Sequence, residues 1–255
     1  MSIQKIKEHW ELKAKEFLNN PNNEMGNTLY DENLRRLEIN AILKYISPNS
    51  RVLDIGCGNG FSTIQFAKEK MIIIDGMDYS EEMINNANTL LCNYPLLCNR
   101  IRFFQGDILE CTHKEKYDII ITERCLINLE TIENQKRAIL NIKKMLNKNG
   151  KFIMLEGFEN NLNDINEVRK KFNLDPIKVV WHNLFFEKNR FESFILPHFK
   201  IDTIDNYGST YMLLTRSLFH IIFNDQFDKS IDYLATLLPN LGDYNYQKLY
   251  ILSKK

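Results

Sequence analysis

Residues 51–60 read Arg51-Val52-Leu53-Asp54-Ile55-Gly56-Cys57-Gly58-Asn59-Gly60. The apolar run predicts a short strand over 51–55, and the residues after the glycines predict a helix over 61–70. Glycines between a strand and a helix let the backbone turn sharply and approach a ligand closely. The helix that follows offers unpaired amide groups at its N-terminus. This strand–loop–helix unit is therefore the expected place for a nucleoside ligand.

Strand-like and helix-like segments alternate after this unit. Apolar runs predict strands at 71–77, 101–105, 117–122 and 151–155, with helices at 80–91 and 132–146 between them. Such alternation indicates an α/β fold with a mostly parallel sheet and helices on both faces. Ligands of these sheets bind beyond the carboxyl ends of the strands. The residues at the five predicted ends are all acidic: Asp54, Asp78, Asp107, Glu123 and Glu156.

The segments on either side of this core are predicted to be mainly helical. Helical spacing predicts helices at 3–18 and 31–45, and the first is broken by the Asn- and Pro-rich residues 19–23. After the core we expect a helix at 162–172, a loop-rich cap at 174–195, a strand at 199–204, helices at 217–223 and 230–238, and a final strand at 246–253. One domain is predicted over 1–255, made of N-terminal helices at 1–47, a cofactor-binding core at 48–158, a cap with insertions at 159–245 and a last strand at 246–255.

The composition argues against several classes of function. The 255 residues include 33 Lys and Arg and 33 Asp and Glu, and this zero net charge argues against the basic surface that nucleic-acid binding needs. No segment approaches the ~20 apolar residues of a membrane span, and the N-terminus lacks the apolar core of a secretory signal. The five cysteines, including Cys111, form no CxxC pair, which favours reduced thiols over disulfides or a metal site. We expect a cytoplasmic monomer or homodimer.

The glycine spacing separates two classes of nucleoside cofactor. A dinucleotide fingerprint has the spacing G-x-G-x-x-G, which places its third glycine at Phe61 when the first is Gly56. The chain has Gly60 instead, so the loop fits a nucleoside without pyrophosphate better than NAD. Asp78 lies 22 residues after Gly56, at the end of the next predicted strand. An acidic residue in that position binds ribose hydroxyls.

Four motifs resemble those of class I S-adenosylmethionine-dependent methyltransferases, in the same order. They are the glycine loop at 52–60, Gly76-Met77-Asp78-Tyr79-Ser80, Gln105-Gly106-Asp107-Ile108 and Tyr117-Asp118-Ile119-Ile120-Ile121-Thr122-Glu123-Arg124. The resemblance covers about residues 30–158 and the tail 250–255. It implies a Rossmann-like, doubly wound, mostly parallel sheet of seven strands with an antiparallel last strand. It also implies S-adenosylmethionine as the cofactor, with S-adenosylhomocysteine as the product.

The resemblance assigns the methionine and ribose contacts of that cofactor. It implies that the backbone from Gly56 through Gly58 to Gly60 faces the methionine part. It also implies that Asp78 binds the ribose hydroxyls. Asp54 belongs to the predicted cofactor site as well, although a structural carboxylate that holds the loop is an equally good interpretation of this residue.

The adenine contacts follow from the next two motifs. By the same resemblance, Tyr79 or Met83 packs on the adenine ring. Asp107 accepts a hydrogen bond from the adenine amino group, with the Ile108 amide beside it. The alternative for Asp107 is a helix cap. Glu123, at the end of the fourth predicted strand, is also a candidate for the cofactor site.

The acceptor side of the reaction is predicted from polar residues that follow the fourth strand. Glu123, Arg124 and Asn128 stand beside an apolar run, and a structural ion pair is the alternative to a binding role for the two charged residues. Arg124 suits a carboxylate or a phosphate. The sequence of residues 123–129, together with that of residues 179–183, resembles the sequences of a bacterial subgroup of methyltransferases found with surface-polysaccharide genes.

The candidate base and the remaining acceptor contacts come from the cap and from strand ends. His182 is the first candidate for a general base, because an ordinary histidine pKa lies near neutrality. Glu156 is the second candidate, and Glu123 is included with them. Asn183 and Trp10 are the further candidate substrate contacts. A packed cap histidine and an amphipathic first helix are the alternatives for His182 and Trp10.

The expected function is methyl transfer to a small molecule with no nucleic-acid or membrane partner. The favoured acceptor is a hydroxyl of a sugar, a nucleotide-sugar or a phosphorylated metabolite in cell-surface polysaccharide synthesis. N-methylation of a small amine comes next. Three rival functions are nucleic-acid methylation, non-catalytic binding of S-adenosylmethionine and NAD-dependent oxidoreduction. Acceptor pockets vary widely on one fold, so the motifs do not name the acceptor.

Overall fold

The computed structural model describes residues 3–19, 31–110, 115–223 and 229–255. The first elements are α1 (Ile3–Asn19), α2 (Glu32–Leu43), β1 (Arg51–Ile55), α3 (Phe61–Glu69), β2 (Ile73–Asp78), α4 (Glu81–Leu91), β3 (Ile101–Gln105), β4 (Tyr117–Glu123), α5 (Ile132–Met145) and β5 (Leu146–Gly157). The chain continues with α6 (Glu159–Lys171), α7 (Lys188–Ile195), β6 (Phe199–Asp205), α8 (Ser209–Leu213), α9 (Phe219–Ile222), α10 (Lys229–Thr236) and β7 (Gln247–Lys254). Cys111 and the predicted helix break at 20–23 lie outside the described residues.

The seven strands form one sheet in the order β3-β2-β1-β4-β5-β7-β6. Strands β1 to β5 pair in parallel with one another, whereas β7 is antiparallel to both β5 and β6. The chain runs outward from β1 through β2 to β3 and then returns to β4 on the other side of β1. The predicted doubly wound sheet with an antiparallel last strand is therefore confirmed. The carboxyl ends of β1, β2 and β4 meet at one edge.

Apolar layers cover both faces of this sheet. In β1, Val52 belongs to the same buried cluster as Ile42 and Phe66, while Leu53 belongs to the cluster of Ile139 on the other face. Burial of both faces explains why the strands read as nearly continuous apolar runs. The described parts of the chain contain no helix with the length and apolar character that crossing a membrane requires.

Strand β5 is longer than predicted, and the helix before it ends earlier. Leu146 pairs with Tyr117, and the next pair of the same ladder joins Lys151 to Ile119. The intervening residues 147–150 therefore bulge out of the ladder. Asn149 and Gly150 lie in this bulge.

The second part of the chain is more helical than its sequence predicts. Helix α6 begins at Glu159, three residues before the predicted start. Helix α7 lies in the predicted loop-rich cap, where the Glu187 side chain accepts hydrogen bonds from the amides of Asn189 and Arg190. The predicted helix at 217–223 is part of a longer helical run, in which a π-helical turn (Leu214–Leu218) joins α8 to α9. The cap is thus built from helices around one irregular segment at 172–187.

Candidate active site

A cavity of about 570 Å³ opens at the carboxyl ends of β1, β2 and β4. Its size lies in the range of about 300–1,000 Å³ that is typical of small-molecule sites. Helix α1 and the cap residues 177–185 form its outer walls. The predicted site residues that line it are Trp10, Asp54, Gly56, Gly58, Asp78, Tyr79, Met83, Asp107, Ile108, Glu123, Arg124, Asn128, His182 and Asn183.

The glycine loop bends because Gly56, Gly58 and Gly60 all have positive φ, a backbone conformation that other residues avoid. Gly56 has φ of 74°, and a Cβ on it would lie 2.6 Å from the Cys125 Sγ. Gly60 has φ of 78°, and a Cβ there would lie 2.6 Å from the ring of Phe103. Gly56 and Gly58 line the cavity and Gly60 is not among the lining residues, so a ligand contact as far as Gly60 stays a prediction.

Asp78 connects the end of β2 to the glycine loop. Its Oδ2 accepts a hydrogen bond from the Gly58 amide at 2.9 Å, and its Oδ1 accepts one from the Ser80 amide at 2.9 Å. Burial raises the pKa of this carboxyl, and the hydrogen bonds from the backbone amides oppose that shift. Carboxylate oxygens accept more than one hydrogen bond each, so the group retains acceptor capacity toward the cavity that it lines.

The predicted adenine contacts lie together beyond β2 and β3. Met83 and Ile108 are buried, whereas the ring of Tyr79 is 41% exposed. Asp107 accepts a hydrogen bond from the Leu109 amide at 2.7 Å, which gives it a turn-forming role close to the helix-cap alternative. Asn141 donates to the Ile108 carbonyl at 2.8 Å and holds this turn from α5.

Asp54 has the environment of a structural carboxylate. It is 2% exposed, and the Thr63 hydroxyl donates to its Oδ2 at 2.5 Å. This bond ties the end of β1 to α3, on the far side of the glycine loop. Burial is the main cause that raises the pKa of Asp54 to about 7, and the Thr63 bond opposes it.

Glu156 does not line the cavity, and the prediction that it is a candidate base conflicts with its position. The side chain is fully buried. Its carboxylate accepts hydrogen bonds from the amides of Cys125, Leu126 and Ile127 at 3.1, 2.9 and 3.2 Å. These three hydrogen bonds fix the turn that follows β4. Glu156 therefore supports the wall of the site and does not contact an acceptor.

Two arginines and two glutamates form a buried charged cluster at the cavity floor. Arg124 makes a hydrogen-bonded ion pair with Glu38, and its Nη2 lies 3.6 Å from the Glu123 Oε1. Arg35 Nη1 lies 4.0 Å from the same oxygen and donates to the Ser62 hydroxyl at 3.2 Å. The prediction that Arg124 binds an acceptor carboxylate or phosphate conflicts with this pairing, because its guanidinium already faces carboxylates of the protein.

The sequence analysis missed the two members of this cluster that come from α2. Glu38 is fully buried and Arg35 is 5% exposed. A signal existed, because Glu38 stands four residues after Leu34 and three before Ala41 on the predicted apolar stripe of that helix. A charged residue on such a stripe is almost never buried without a partner.

His182 belongs to a cluster of rings that joins the cap to α1. Its ring centroid lies 4.6 Å from that of His9, 5.5 Å from Trp10 and 5.3 Å from Trp181. Burial and the neighbouring His9 lower the pKa of His182 to about 4. The expectation of a pKa near neutrality is therefore wrong. The imidazole is neutral at pH 7.

The other two predicted acceptor contacts are held by backbone groups. Asn128 donates from Nδ2 to the Arg124 carbonyl at 2.6 Å, and the Asn183 amide donates to the Val180 carbonyl at 2.9 Å. Both residues line the cavity. Within the described residues, no three His, Cys, Asp or Glu side chains are grouped as ligands of a metal ion.

Comparison with known protein families assigns the chain to one family. A family model described as a methyltransferase domain matches residues 46–205, which is more than half of the chain. The chain belongs to this family of methyltransferase domains. The match includes the six strands β1 to β6 and ends at the last residue of β6.

Curated relatives are distant and differ in what they act on. The chain is 30% identical over 122 residues to the mRNA cap guanine-N(7) methyltransferase of Eremothecium gossypii, covering 43% of this chain and 28% of that protein. It is 25% identical over 185 residues to the carboxy-S-adenosyl-L-methionine synthase of Nautilia profundicola, covering 69% of this chain and 74% of that protein. The chain thus spans less than a third of the first relative's length.

A solved structure reproduces the whole fold at low sequence identity. The magnesium protoporphyrin IX methyltransferase of Synechocystis PCC 6803, solved with bound SAH, superposes with a TM-score of 0.65. The two chains are 13% identical, and the match covers 100% of each. At this identity the likeness concerns the fold.

Proposed function

We propose that this chain transfers the methyl group of S-adenosylmethionine to an oxygen or nitrogen atom of a small acceptor. One observation carries the proposal: a single cavity joins the strand-end residues that suit the cofactor to a separate wall built from α1 and the cap. Both reactants would meet inside one enclosed space. Membership of a methyltransferase-domain family supports the same reaction class.

The residues at the strand ends fit this cofactor. Asp78 offers carboxylate oxygens to ribose hydroxyls. Tyr79, Met83 and Ile108 form an apolar edge for the adenine. Gly56 packs so closely on Cys125 that a side chain there would collide with it, and the Gly56 backbone lines the cavity where the methionine part would lie. These roles are the ones that the sequence motifs predict, and the geometry is compatible with them.

Methyl transfer requires little from the protein beyond alignment of the acceptor with the methyl group. The bound cofactor supplies an activated methyl group: a lone pair of the acceptor forms the new bond to the methyl carbon while the carbon–sulfur bond breaks toward sulfur. Alignment and exclusion of water account for most of such a rate enhancement. In this chain α1 and the cap would exclude water, and the turn held by Glu156 would keep the cavity floor rigid.

The acceptor's proton has two candidate destinations in the cavity. Burial lowers the pKa of His182 to about 4, and a base whose conjugate acid has so low a pKa is a weak proton acceptor. Burial acts to raise the pKa of Glu123, but the charges of Arg35 and Arg124 outweigh it and lower that pKa, so this group is a weak base too. We therefore propose that both groups position the acceptor and that the proton leaves after methyl transfer.

The finer predictions concern biological role and remain predictions. They are a sugar, nucleotide-sugar or phosphorylated acceptor, a place in surface-polysaccharide synthesis, a cytoplasmic location and a monomeric or dimeric state. Relatives named for mRNA cap methylation keep a purine acceptor among the alternatives. The zero net charge of the chain argues against a long nucleic-acid partner.

Calorimetric titration with S-adenosylhomocysteine tests the donor half of the proposal. We expect one binding site per chain, and a loss of affinity of at least tenfold in Asp78→Ala, because two ribose hydrogen bonds to a charged group disappear. Asp164→Ala is the matched control, since Asp164 is an exposed residue of α6. Binding of NADH in place of S-adenosylhomocysteine would contradict the proposal and favour an oxidoreductase.

A further inference from the structure

The cavity extends beyond the donor residues into a space that we name the acceptor chamber. Its walls come from α6, the cap segment and the residue that precedes β7. The chamber residues are Leu162, Ile177, Val179, Val180, Phe185 and Tyr246. Most of these side chains are apolar, although the sequence favours a sugar or a phosphorylated acceptor. A sugar needs many hydrogen-bonding partners, and this wall offers few.

Two aromatic rings of the chamber wall are stacked on each other. The centroids of Phe185 and Tyr246 lie 5.9 Å apart with an angle of 25° between their planes. Phe185 is held in place from behind, because it packs directly over Gly157, where a Cβ would lie 2.5 Å from the ring. Flat, immobilised rings favour a flat ligand, since stacking adds to simple burial of area.

The cap segment over the chamber is anchored at both ends. The Asn166 side chain accepts a hydrogen bond from the Ile177 amide at 2.7 Å and donates to the Ile177 carbonyl at 3.0 Å. At the other end the Leu184 amide donates to the Ile127 carbonyl at 2.6 Å. Between these anchors Val179, Val180 and Trp181 are 38%, 51% and 49% exposed. Consecutive exposed apolar side chains at a cavity mouth mark a ligand-binding groove.

Charge at the cavity floor does not suit a phosphorylated ligand. The guanidinium of Arg124 faces Glu38 and Glu123, and Arg35 faces Glu123. Asp54 adds a further carboxyl to the same floor. The two cations of the floor are therefore compensated within the protein, and a diphosphate or sugar phosphate placed there would meet carboxylates without surplus positive charge. The other cations that line the cavity are Lys7, Lys13 and Lys178, which belong to α1 and the cap segment and not to the floor.

We infer that the acceptor chamber binds a molecule with a flat, apolar ring system and a neutral or cationic polar end, instead of a sugar phosphate or nucleotide-sugar. The inference rests on the proposed function, because it names the acceptor class of the same site. The ring system would lie against Phe185 and Tyr246, under the apolar cap segment. The polar end would carry the hydroxyl or amine that receives the methyl group.

Probe binding to the protein saturated with S-adenosylhomocysteine tests this assignment. The probe is 2-naphthol, a neutral flat ring system with one hydroxyl, and the opposing probes are UDP-glucose and glucose 6-phosphate. We expect calorimetry to show one naphthol site per chain in the wild type, with weaker or undetectable binding of both phosphorylated probes. Val179→Asp should weaken naphthol binding about tenfold or more, because it places a charge against the ring system.

Leu196→Asp is the matched control, because Leu196 is a 46% exposed apolar residue at the end of α7 and does not line the cavity. Both positions are exposed enough for the variants to fold. Tyr246→Leu removes the flat ring while it keeps apolar volume, and it should also weaken naphthol binding.

Absence of naphthol binding, tighter binding of either phosphorylated probe, or equal effects of the two Asp variants would each overturn the inference. Failure of the wild type to bind S-adenosylhomocysteine would instead overturn the proposed function.

Discussion

The cavity has a donor half around Asp78 and the glycine loop, and an acceptor half that consists of the acceptor chamber and the buried charged cluster. Different kinds of contact stabilise the two halves. In the donor half, carboxylates bind backbone amides close to the ends of β2 and β4, as Asp78 binds Gly58 and Glu156 binds the turn after β4. In the acceptor half, side chains bind side chains far away in sequence, as Arg124 binds Glu38 across 86 positions.

This difference separates what is common to the fold from what is particular to this chain. Backbone amides at strand ends exist in every member of such a fold, so a short motif is enough to place the carboxylates that bind them. Pairs of side chains from separate helices require the whole tertiary structure. The acceptor half is therefore the part that can change its ligand without changing the sheet.

Removal of Glu38 tests whether the acceptor half depends on its buried ion cluster. Glu38→Ala leaves the buried guanidinium of Arg124 without its hydrogen-bonded partner. We expect the free energy of unfolding, measured with urea, to fall by about 3–5 kcal/mol. The matched control is Lys44→Ala, which breaks the exposed pair between Lys44 and Asp205 in the same region and should cost less than about 1 kcal/mol. Equal losses in both variants would show that the cluster is not a structural link.

A side chain at Gly56 tests the donor half in the corresponding way. Gly56→Ala forces a φ of 74° on a non-glycine residue and sets its Cβ 2.6 Å from the Cys125 Sγ. We expect a stability loss of about 1–3 kcal/mol together with a clear loss of S-adenosylhomocysteine affinity. Gly242→Ala is the control, because Gly242 has φ of 69° but does not line the cavity. It should lose stability and keep affinity; similar affinities in both variants would contradict a special role of Gly56.

The sheet and the donor half could be predicted because local sequence determines them. A buried parallel strand needs a largely apolar run, and 51–55 and 117–122 provide one each, interrupted by single acidic residues. The turn after β1 needs glycine at positive φ, and Gly56 is visible as such in the sequence. The residues that end these strands then line one edge, whatever the helices do.

The acceptor half could not be predicted with the same success, because its charges find their partners through the fold. Arg124 reads as a free cation after β4, and only the position of α2 shows that it faces Glu38. His182 reads as an ordinary histidine, and only the packing of α1 against the cap lowers its pKa. In the sequence, Glu156 is an acidic residue at a strand end, as Asp78 is. In the structure its carboxylate instead accepts hydrogen bonds from backbone amides outside the cavity.

The pH dependence of stability tests how Asp54 is held at the boundary of the two halves. The pKa of Asp54 is about 7 in the folded protein, against 3.8 for the ordinary group, with burial as the main cause. The folded state therefore binds the proton more tightly, and this carboxyl lowers stability as pH rises from about 4 to 7. Asp54→Asn lacks this pH-dependent contribution and keeps an oxygen for Thr63.

We expect the stability of Asp54→Asn relative to wild type to increase across that pH window by a few kcal/mol, since each pKa unit corresponds to about 1.4 kcal/mol, and to stay constant above it. Urea unfolding at several pH values measures the difference. Asp118→Asn is the control, because Asp118 is an exposed residue at the opposite end of β4. A pH-independent difference for Asp54→Asn would show that this carboxyl is ionised at little cost.

The smallest expected effect concerns the anchor of the cap segment. Asn166→Ala removes both hydrogen bonds to Ile177, which together contribute on the order of 1 kcal/mol to local stability. Hydrogen exchange of residues 177–183 should become several times faster, while S-adenosylhomocysteine affinity stays unchanged, because the donor half has its own backbone contacts. Asn163→Ala, at an exposed position of the same helix, should change neither quantity. A parallel loss of cofactor affinity in Asn166→Ala would mean that the two halves are coupled through the cap, and the division drawn between them would then fail.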